Sequence, residues 1–319
     1  MPLASIALTL LAATQGPTQF VPPTATSVPE IVGGTPVDEG EWLQVVALEL
    51  GNFRCTGTLL APTLVLTAAH CIPQNLNVSD VKVGFGNDDA SLVGTLSATA
   101  VDIHPEFCAE CSVDRMDFAY IVLESAANLP PIPLVTSQAT YDTLMSVSAS
   151  VTLVGFGEDE NGTSGIKREV QTVITDHSRT GQEFEAGGDG FDSCQGDSGG
   201  PALVIDADGQ PRLAGVLSRG FDCGEGGFYG NPYAIACWLR AETGVDLSET
   251  CEACDCVNLA SHNGSEEGCG GCSAASPADH RNSTAPLHLL TAWLLLGRVR
   301  RRTRSRRAFD APVFPPTKG

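Results

Sequence analysis

Short apolar runs alternate along the chain with clusters of Gly, Asn, Asp and Pro. Strands at this spacing, separated by turn-forming residues, are typical of a β-sandwich or a β-barrel. The predicted strands are Val45–Leu50, Thr58–Leu60, Thr63–Ala68, Val81–Gly84, Phe118–Leu123, Val151–Val154, Glu169–Ile174, Pro201–Ile205 and Leu213–Leu217. One helical pattern follows at Ala234–Thr243, and Gly244 is placed to end it. The pattern therefore predicts an all-β chain with a short helix near the end of its folded part.

The alternating pattern stops towards both termini. The first residues are apolar and are followed by small residues, as in a secretory signal peptide, although no Lys or Arg precedes the apolar stretch. The signal is therefore atypical, or the true start lies upstream. The predicted boundaries are 1–16 for the signal peptide, 17–30 for a Pro- and Thr-rich leader, 31–248 for the folded domain, 249–284 for a Cys-rich segment and polar linker, 285–307 for a short apolar run with an Arg cluster, and 308–319 for a disordered tail.

Composition and charge narrow the class of protein. Twelve Cys indicate an oxidising compartment, and 42% hydrophobic residues with only 18% charged residues favour a folded core. The net charge of −20 argues against nucleic-acid binding, which needs a basic patch. It suits cationic partners, although solubility alone is an equally good reason for it.

Three stretches contain residues suited to nucleophilic catalysis. Ser198 lies among glycines, which allow a tight turn with an exposed hydroxyl and leave backbone N–H groups free. His70 follows an apolar strand, and Asp117 begins another, where a buried carboxylate needs a partner such as an imidazole. The alternatives are a Gly-rich turn, a structural histidine and a strand cap, and Asp114 is a nearby rival carboxylate.

Four motifs occur in a known order: Ile31-Val32-Gly33-Gly34, Thr67–Cys71, Asp117–Leu123 and Gly196–Pro201. Together they resemble the trypsin/chymotrypsin family of serine proteases. The resemblance implies two packed antiparallel six-stranded β-barrels with the active site in the cleft between them, plus a short C-terminal helix. It also implies a serine-type endopeptidase that needs no metal and no organic cofactor.

The resemblance assigns roles to individual residues of this chain. His70 would be the general base, Asp117 would orient it, and Ser198 would be the nucleophile. The N–H groups of Gly196 and Ser198 would form the oxyanion hole. The order His, Asp, Ser differs from that of an esterase of the α/β-hydrolase fold, where His comes last. A non-catalytic binding protein that retains the protease fold is the main alternative.

The same resemblance places a carboxylate at the floor of the primary specificity pocket. The substrate-binding positions are Asp192, Ser193, Ser218, Gly220 and Gly227. A buried Asp192 would be satisfied by a substrate Lys or Arg, and glycine walls would admit so long a side chain. Cleavage after Arg or Lys, in protein or peptide substrates, is therefore expected.

Activation should follow the family's insertion mechanism. A freed Ile31 ammonium would pair with Asp197 and order the pocket. Residue 30 is Glu, and residues 1–30 contain no Lys or Arg. We therefore expect a different protease to activate the chain.

Two positions depart from the family pattern: Arg219 and Phe156 each stand where Trp is usual, so subsites beyond the pocket are not predicted. The stretch between Gly157 and Asp192 lacks a Cys pair common in animal members, which favours a bacterial or divergent enzyme. The resemblance implies the disulfides Cys55–Cys71 and Cys194–Cys223. Cys108 and Cys111 are close enough in sequence to pair locally.

The tail is open to several interpretations. Its Cys251-x2-Cys254 and Cys269-x2-Cys272 pairs favour disulfides, with a zinc site as the alternative. The Cys-rich segment, the apolar run Leu287–Leu296 and seven arginines between Arg298 and Arg307 resemble myxobacterial surface-sorting tags. The alternative is a disordered basic tail. We expect a secreted or cell-surface protein, on the bacterial outer surface, with transient membrane anchoring through this tail.

Overall fold

Strands from two stretches of the chain close into two antiparallel barrels. The computed structural model describes residues 31–158, 162–247 and 254–263. Strand β1 (Thr35–Pro36) pairs with the second barrel. The first barrel consists of β2 (Val45–Leu50), β3 (Phe53–Ala61), β4 (Leu64–Thr67), β5 (Val81–Phe85), β6 (Gly94–Ile103) and β7 (Ala119–Leu123). Its strand order is β2-β3-β4-β7-β6-β5, and β5 pairs back to β2.

The second barrel is built from the C-terminal half. Its strands are β8 (Ser150–Gly155), β9 (Arg168–His177), β10 (Glu183–Ala186), β11 (Pro201–Ile205), β12 (Pro211–Gly220) and β13 (Gly227–Gly230). The order is β9-β10-β13-β12-β11-β8, closed by the pairing of β8 with β9. The predicted fold class is therefore confirmed.

All nine predicted strands are present, but the structure adds elements that the pattern did not indicate. The additions are β1, β6, β10, β13 and the helix α1 (Gln138–Leu144). Helix α2 (Ala236–Thr243) begins two residues later than predicted, because a 3₁₀ turn at Pro232–Ile235 precedes it. It ends as predicted at Gly244, which has a φ of 72° and donates its N–H to Arg240 O over 3.0 Å.

Apolar side chains fill both barrels. Leu48, Leu66 and Ile121 are buried in the first, and Leu153 and Phe184 in the second. Helix α2 packs on the cluster of the first barrel through Leu239. Its Trp238 ring lies 4.8 Å from the ring of His104 and 5.2 Å from that of Tyr120, centroid to centroid. The helix that follows the second barrel therefore ties the two barrels together.

Residues 254–263 pack on α1, although the sequence pattern assigned them to the tail. Tyr141 donates its hydroxyl to Leu259 O (3.0 Å), and Asn258 donates its N–H to the side chain of Gln138 (2.6 Å). A disulfide joins Cys237 of α2 to Cys254. None of the helices in the described residues is long and apolar enough to cross a membrane. The predicted signal peptide, the leader, the apolar run and the Arg cluster lie outside the described residues.

Candidate active site

Two neighbouring strands of the first barrel bring His70 and Asp117 together. In the antiparallel pair β4–β7, Thr67 lies opposite Ala119, so the residues just beyond these strand ends are close. A 3₁₀ turn at Ala69–Cys71 then presents His70. Its Nδ1 lies 2.7 Å from Asp117 Oδ2, and its backbone N–H donates to Asp117 Oδ1 over 2.9 Å. The carboxylate fixes both the backbone and the ring of His70.

The Asp117 carboxylate is buried and has a third partner. Ser218 of β12 donates its hydroxyl to Asp117 Oδ2 over 2.6 Å. Burial by itself raises the pKa of Asp117, but the hydrogen bonds from His70 and Ser218 and the charge of His70 outweigh it, so the pKa is lowered. Asp117 is therefore ionised at neutral pH, while the His70 side chain remains about one-third exposed (34%) at the cleft.

The rival carboxylate Asp114 lies in a different environment. Its backbone N–H donates to Glu183 Oε2 over 2.8 Å. Its Oδ1 is buried and has no hydrogen-bond partner among the residues that the structure describes. The carboxylate that contacts His70 is that of Asp117.

Ser198 comes from the second barrel and is half-buried where the two barrels meet. Its carbonyl accepts a hydrogen bond from the N–H of Thr56 in β3 (2.9 Å), and it lies 3.6 Å from Cys71 Sγ. Ser198 is therefore held beside the residue that follows His70. A hydrogen bond from Ser198 Oγ to the His70 ring is not among those formed within the described ranges. In enzymes without substrate such contacts are often long and tighten in the complex.

The backbone around Ser198 leaves two donors free. Gly196 has a φ of 97°, and an added Cβ would lie 3.0 Å from Gly157 Cα. In the described part of the chain, the N–H groups of Gly196 and Ser198 donate to no acceptor. Those of Asp197 and Gly199 both do. An unpaired N–H on the serine itself and another on the glycine two residues before it are what an oxyanion hole requires.

Asp192 is buried to 1% exposure, and backbone groups satisfy its carboxylate. Gly226 and Gly224 donate their N–H groups to Oδ2 over 2.8 and 3.3 Å. Ser193 Oγ lies 3.4 Å from Oδ1 and accepts a hydrogen bond from Tyr229 (3.1 Å). Burial raises the pKa of Asp192, and these hydrogen bonds oppose the rise. The carboxylate has amide partners but no cation among the described residues.

Two glycines face each other on strands next to Asp192. Gly220 at the end of β12 pairs with Gly227 at the start of β13. A Cβ on Gly227 would lie 3.1 Å from Leu217 Cδ1 and 3.4 Å from Ser193 Oγ, so the space beside Ser193 is narrow. The absence of both side chains keeps this space open.

Ile31 and Asp197 line one small cavity of the second barrel. Ile31 is 1% exposed, and the Asp197 carboxylate accepts hydrogen bonds from the N–H groups of Gly157 (2.8 Å) and Cys194 (2.9 Å). Burial raises the pKa of Asp197 to about 7, helped by the nearby charge of Asp192 and opposed by the two amides. A cation close to this carboxylate would lower its pKa again.

Arg219 and Phe156, the two departures from the family pattern, both have specific partners. The Arg219 guanidinium pairs with Glu183 and lies 4.1 Å from the ring centroid of Phe228. Phe156 donates its N–H to Thr56 Oγ1 over 3.2 Å, and its ring faces the ammonium of buried Lys167. Sequence reasoning missed Glu183, because a glutamate in a short segment with no apolar run and no motif carries no distinguishing signal.

Four disulfides join pairs of described cysteines. They are Cys55–Cys71, Cys108–Cys111, Cys194–Cys223 and Cys237–Cys254. The first three were predicted. The fourth uses Cys254, which is therefore unavailable as a zinc ligand in the tail. Over residues 31–158, 162–247 and 254–263, no three His, Cys, Asp or Glu side chains cluster as a metal site would require.

Comparison with known proteins gives one consistent result. The family model described as Trypsin matches residues 31–239. The chain is 28% identical over 259 residues to the proclotting enzyme of Tachypleus tridentatus, covering 68% of each protein. It is 30% identical over 241 residues to transmembrane protease serine 11E of Mus musculus, covering 69% of this chain and 56% of that protein. It is 27% identical over 258 residues to coagulation factor XII of Cavia porcellus, covering 68% of this chain and 41% of that protein.

Proposed function

The chain belongs to the trypsin family of serine endopeptidases, and from that premise we propose that it hydrolyses peptide bonds after Arg or Lys through an acyl-enzyme. The observation that carries the specificity is the buried carboxylate of Asp192 beside the paired glycines Gly220 and Gly227. Ser193 and Ser218 complete the substrate-binding positions.

In this mechanism Ser198 Oγ attacks the scissile carbonyl carbon while His70 takes its proton. The Asp117 carboxylate orients the ring and stabilises the imidazolium. The carbonyl oxygen becomes an oxyanion that accepts hydrogen bonds from the N–H groups of Gly196 and Ser198. One such donor contributes about 2.7–4 kcal/mol to lowering the barrier. His70 then protonates the leaving amine, and water attacks the acyl-enzyme by the reverse of the same steps.

Charge accounts for the proposed specificity. The Asp192 carboxylate is desolvated, so a neutral substrate side chain would leave it without a counter-charge. A guanidinium or ammonium at the floor would form charge-assisted hydrogen bonds with it. The hydroxyl of Ser193, 3.4 Å from Asp192 Oδ1, is placed to accept a further one.

The test is a set of peptide substrates that differ only in the residue before the scissile bond. We expect kcat/KM to be highest for Arg and Lys, and a preference for Phe or Leu would refute the specificity. The Ser198→Ala variant is the matched control for contaminating proteases. Labelling of Ser198 by a serine-directed phosphonate distinguishes an enzyme from a binding protein that keeps the fold.

Activation is proposed to begin when the chain is cut before Ile31. The new α-ammonium would pair with Asp197, which is already in the same cavity. Since residue 30 is Glu, a protease of different specificity should make the cut. N-terminal sequencing after pure leader-containing protein is incubated alone tests this, because a self-generated Ile31 terminus would contradict it.

The location is proposed to be extracellular or at the cell surface, on the bacterial outer surface. Four disulfides among the described residues suit an oxidising compartment. We further propose that the Arg cluster 298–307 and the preceding apolar run act as a sorting tag that anchors the chain transiently. Mass spectrometry of mature extracellular protein would contradict this if the Arg cluster were still attached.

A further inference from the structure

The segment immediately before Asp117 has an unfavourable backbone conformation. Asp114 has a φ of 52° and Met116 a φ of 49°, in the left-handed region that side chains other than glycine rarely adopt. Each such residue costs on the order of 1–3 kcal/mol and persists only where its surroundings hold it. The position of Asp117 therefore depends on whatever holds residues 114–116.

Glu183 holds this segment from the second barrel, while on the other side Cys108 donates its N–H to Arg115 O over 2.9 Å. Its Oε2 accepts the N–H of Asp114 over 2.8 Å, and its Oε1 accepts the N–H of Arg115 over 3.1 Å. Glu183 begins β10 of the second barrel, whereas the segment leads into β7 of the first barrel. One buried carboxylate, 3% exposed, thus fixes the backbone before Asp117 from across the junction between the barrels.

Arg219 in turn fixes Glu183. Its two terminal nitrogens donate to the two carboxylate oxygens over 2.8 and 2.9 Å, and Nη2 also donates to Ser112 O over 2.7 Å. Burial by itself raises the pKa of Glu183, but the hydrogen bonds from Arg219 and from the two backbone amides outweigh it, and the pKa is lowered. The carboxylate is therefore ionised, which makes it a strong acceptor for both amides.

The same strand also holds Asp117 directly. Ser218 of β12 donates to Asp117 Oδ2 over 2.6 Å, and the next residue, Arg219, holds Glu183. Strand β12 thus holds Asp117 in two ways. Ser218 binds the Asp117 carboxylate directly, and Arg219 acts through Glu183 on the backbone that leads to Asp117.

We propose that Glu183 and Arg219 are positioning residues for the Asp117–His70 pair. This inference rests on the proposed function, because the two residues take no chemical step themselves and act only by positioning the proposed catalytic pair. Arg219 stands where the family usually has a Trp, and in this chain the arginine binds Glu183.

The chain contains a matched control whose arginine, Arg212, lies on the same strand as Arg219. Asp206 accepts the N–H groups of Gln210 (2.8 Å) and Asp208 (3.0 Å) and pairs with Arg212 at 2.9 Å. It repeats the chemistry of Glu183, a carboxylate that binds two backbone amides and one arginine. It does so in the loop between β11 and β12, away from the segment before Asp117.

The experiment compares Glu183→Gln with Asp206→Asn in the otherwise complete protein after cleavage before Ile31, with rates normalised to active sites titrated by the phosphonate. For Glu183→Gln we expect kcat on an Arg peptide to fall about 10–100-fold, as for a catalytic group displaced by about 1 Å, with little change in KM. The acidic limb of the kcat/KM profile should move to lower pH, because a displaced carboxylate stabilises the imidazolium less. Asp206→Asn should leave kcat and the profile unchanged.

A second variant covers the case in which Glu183→Gln does not fold. The kcat of Arg219→Ala should fall by about as much as that of Glu183→Gln. Millimolar guanidinium should restore it by replacing the missing side chain beside Glu183, whereas Arg212→Ala should show neither the loss nor the rescue. The inference would be overturned if Glu183→Gln kept the wild-type kcat and pH profile, or if Asp206→Asn lost as much kcat as Glu183→Gln. It would also be overturned if guanidinium did not restore the kcat of Arg219→Ala. An inactive wild-type protein would instead refute the proposed function.

Discussion

The charge of Asp197 before activation can be tested through stability. In the chain that keeps its leader, Ile31 is in a peptide bond and has no ammonium to offer. Burial raises the pKa of Asp197 from its ordinary 3.8 to about 7. Between these two pH values the folded carboxyl holds a proton that the unfolded chain releases, so stability falls as the pH rises. A pKa difference of about three corresponds to about 4 kcal/mol.

The assay is urea unfolding from pH 4 to pH 8 of a leader-containing Ser198→Ala chain, with and without Asp197→Asn. The parent should lose about 4 kcal/mol more than the Asn variant over this range, almost all of it below pH 7. The pKa of Asp192 is also raised, but the effect of Asp192 on the free energy of unfolding is present in both curves and largely cancels in their difference.

A chain that begins at Ile31 gives the complementary measurement. Its ammonium should keep Asp197 ionised, so the fall in stability between pH 4 and pH 7 should disappear. Parallel curves for the parent and the Asn variant would refute the argument, because Asp197 would then titrate in the folded chain as it does in the unfolded one.

Three further predictions concern the site. Replacing Asp192 by Asn should lower kcat/KM for an Arg peptide by at least about 100-fold, because the buried guanidinium of the substrate would lose its counter-charge. An unchanged preference for Arg over Leu peptides would contradict this. Ser218→Ala should reduce kcat by roughly 10-fold through loss of its 2.6 Å hydrogen bond to Asp117, measured at saturating substrate, and wild-type kcat would show that the bond is dispensable. Gly227→Ala should narrow the pocket and cost Arg peptides about 10-fold or more relative to Ala peptides in competition assays, and an unchanged ratio would place the pocket elsewhere.

Local patterns were sufficient to predict most of the barrels. Apolar runs such as β4 and β7 have buried faces that show in the sequence. Strand β6 was missed because its exposed Ser, Thr and Ala residues give little contrast, and β13 was missed because its four residues begin and end with Gly. Both strands exist because neighbouring strands offer them hydrogen bonds.

The residues of the candidate site likewise differ in whether the sequence could predict them. His70, Asp117 and Ser198 each stand in a motif that can be recognised locally, and the structure brings the first two into contact. Glu183 has no motif, because its role depends on pairing with Arg219 across the junction between the barrels. The partner of Cys237 likewise depended on residues 254–263 folding back onto α1.

Strand β12 combines several tasks. Within three consecutive residues it binds the Asp117 carboxylate, contacts the Glu183 that holds the segment before it and includes Gly220, a wall of the proposed specificity pocket. A mutation that shifts this strand would alter substrate choice and turnover together. Selection for a new cleavage preference through this strand should therefore recover variants with slower chemistry, and restoring their speed would require second mutations on other strands.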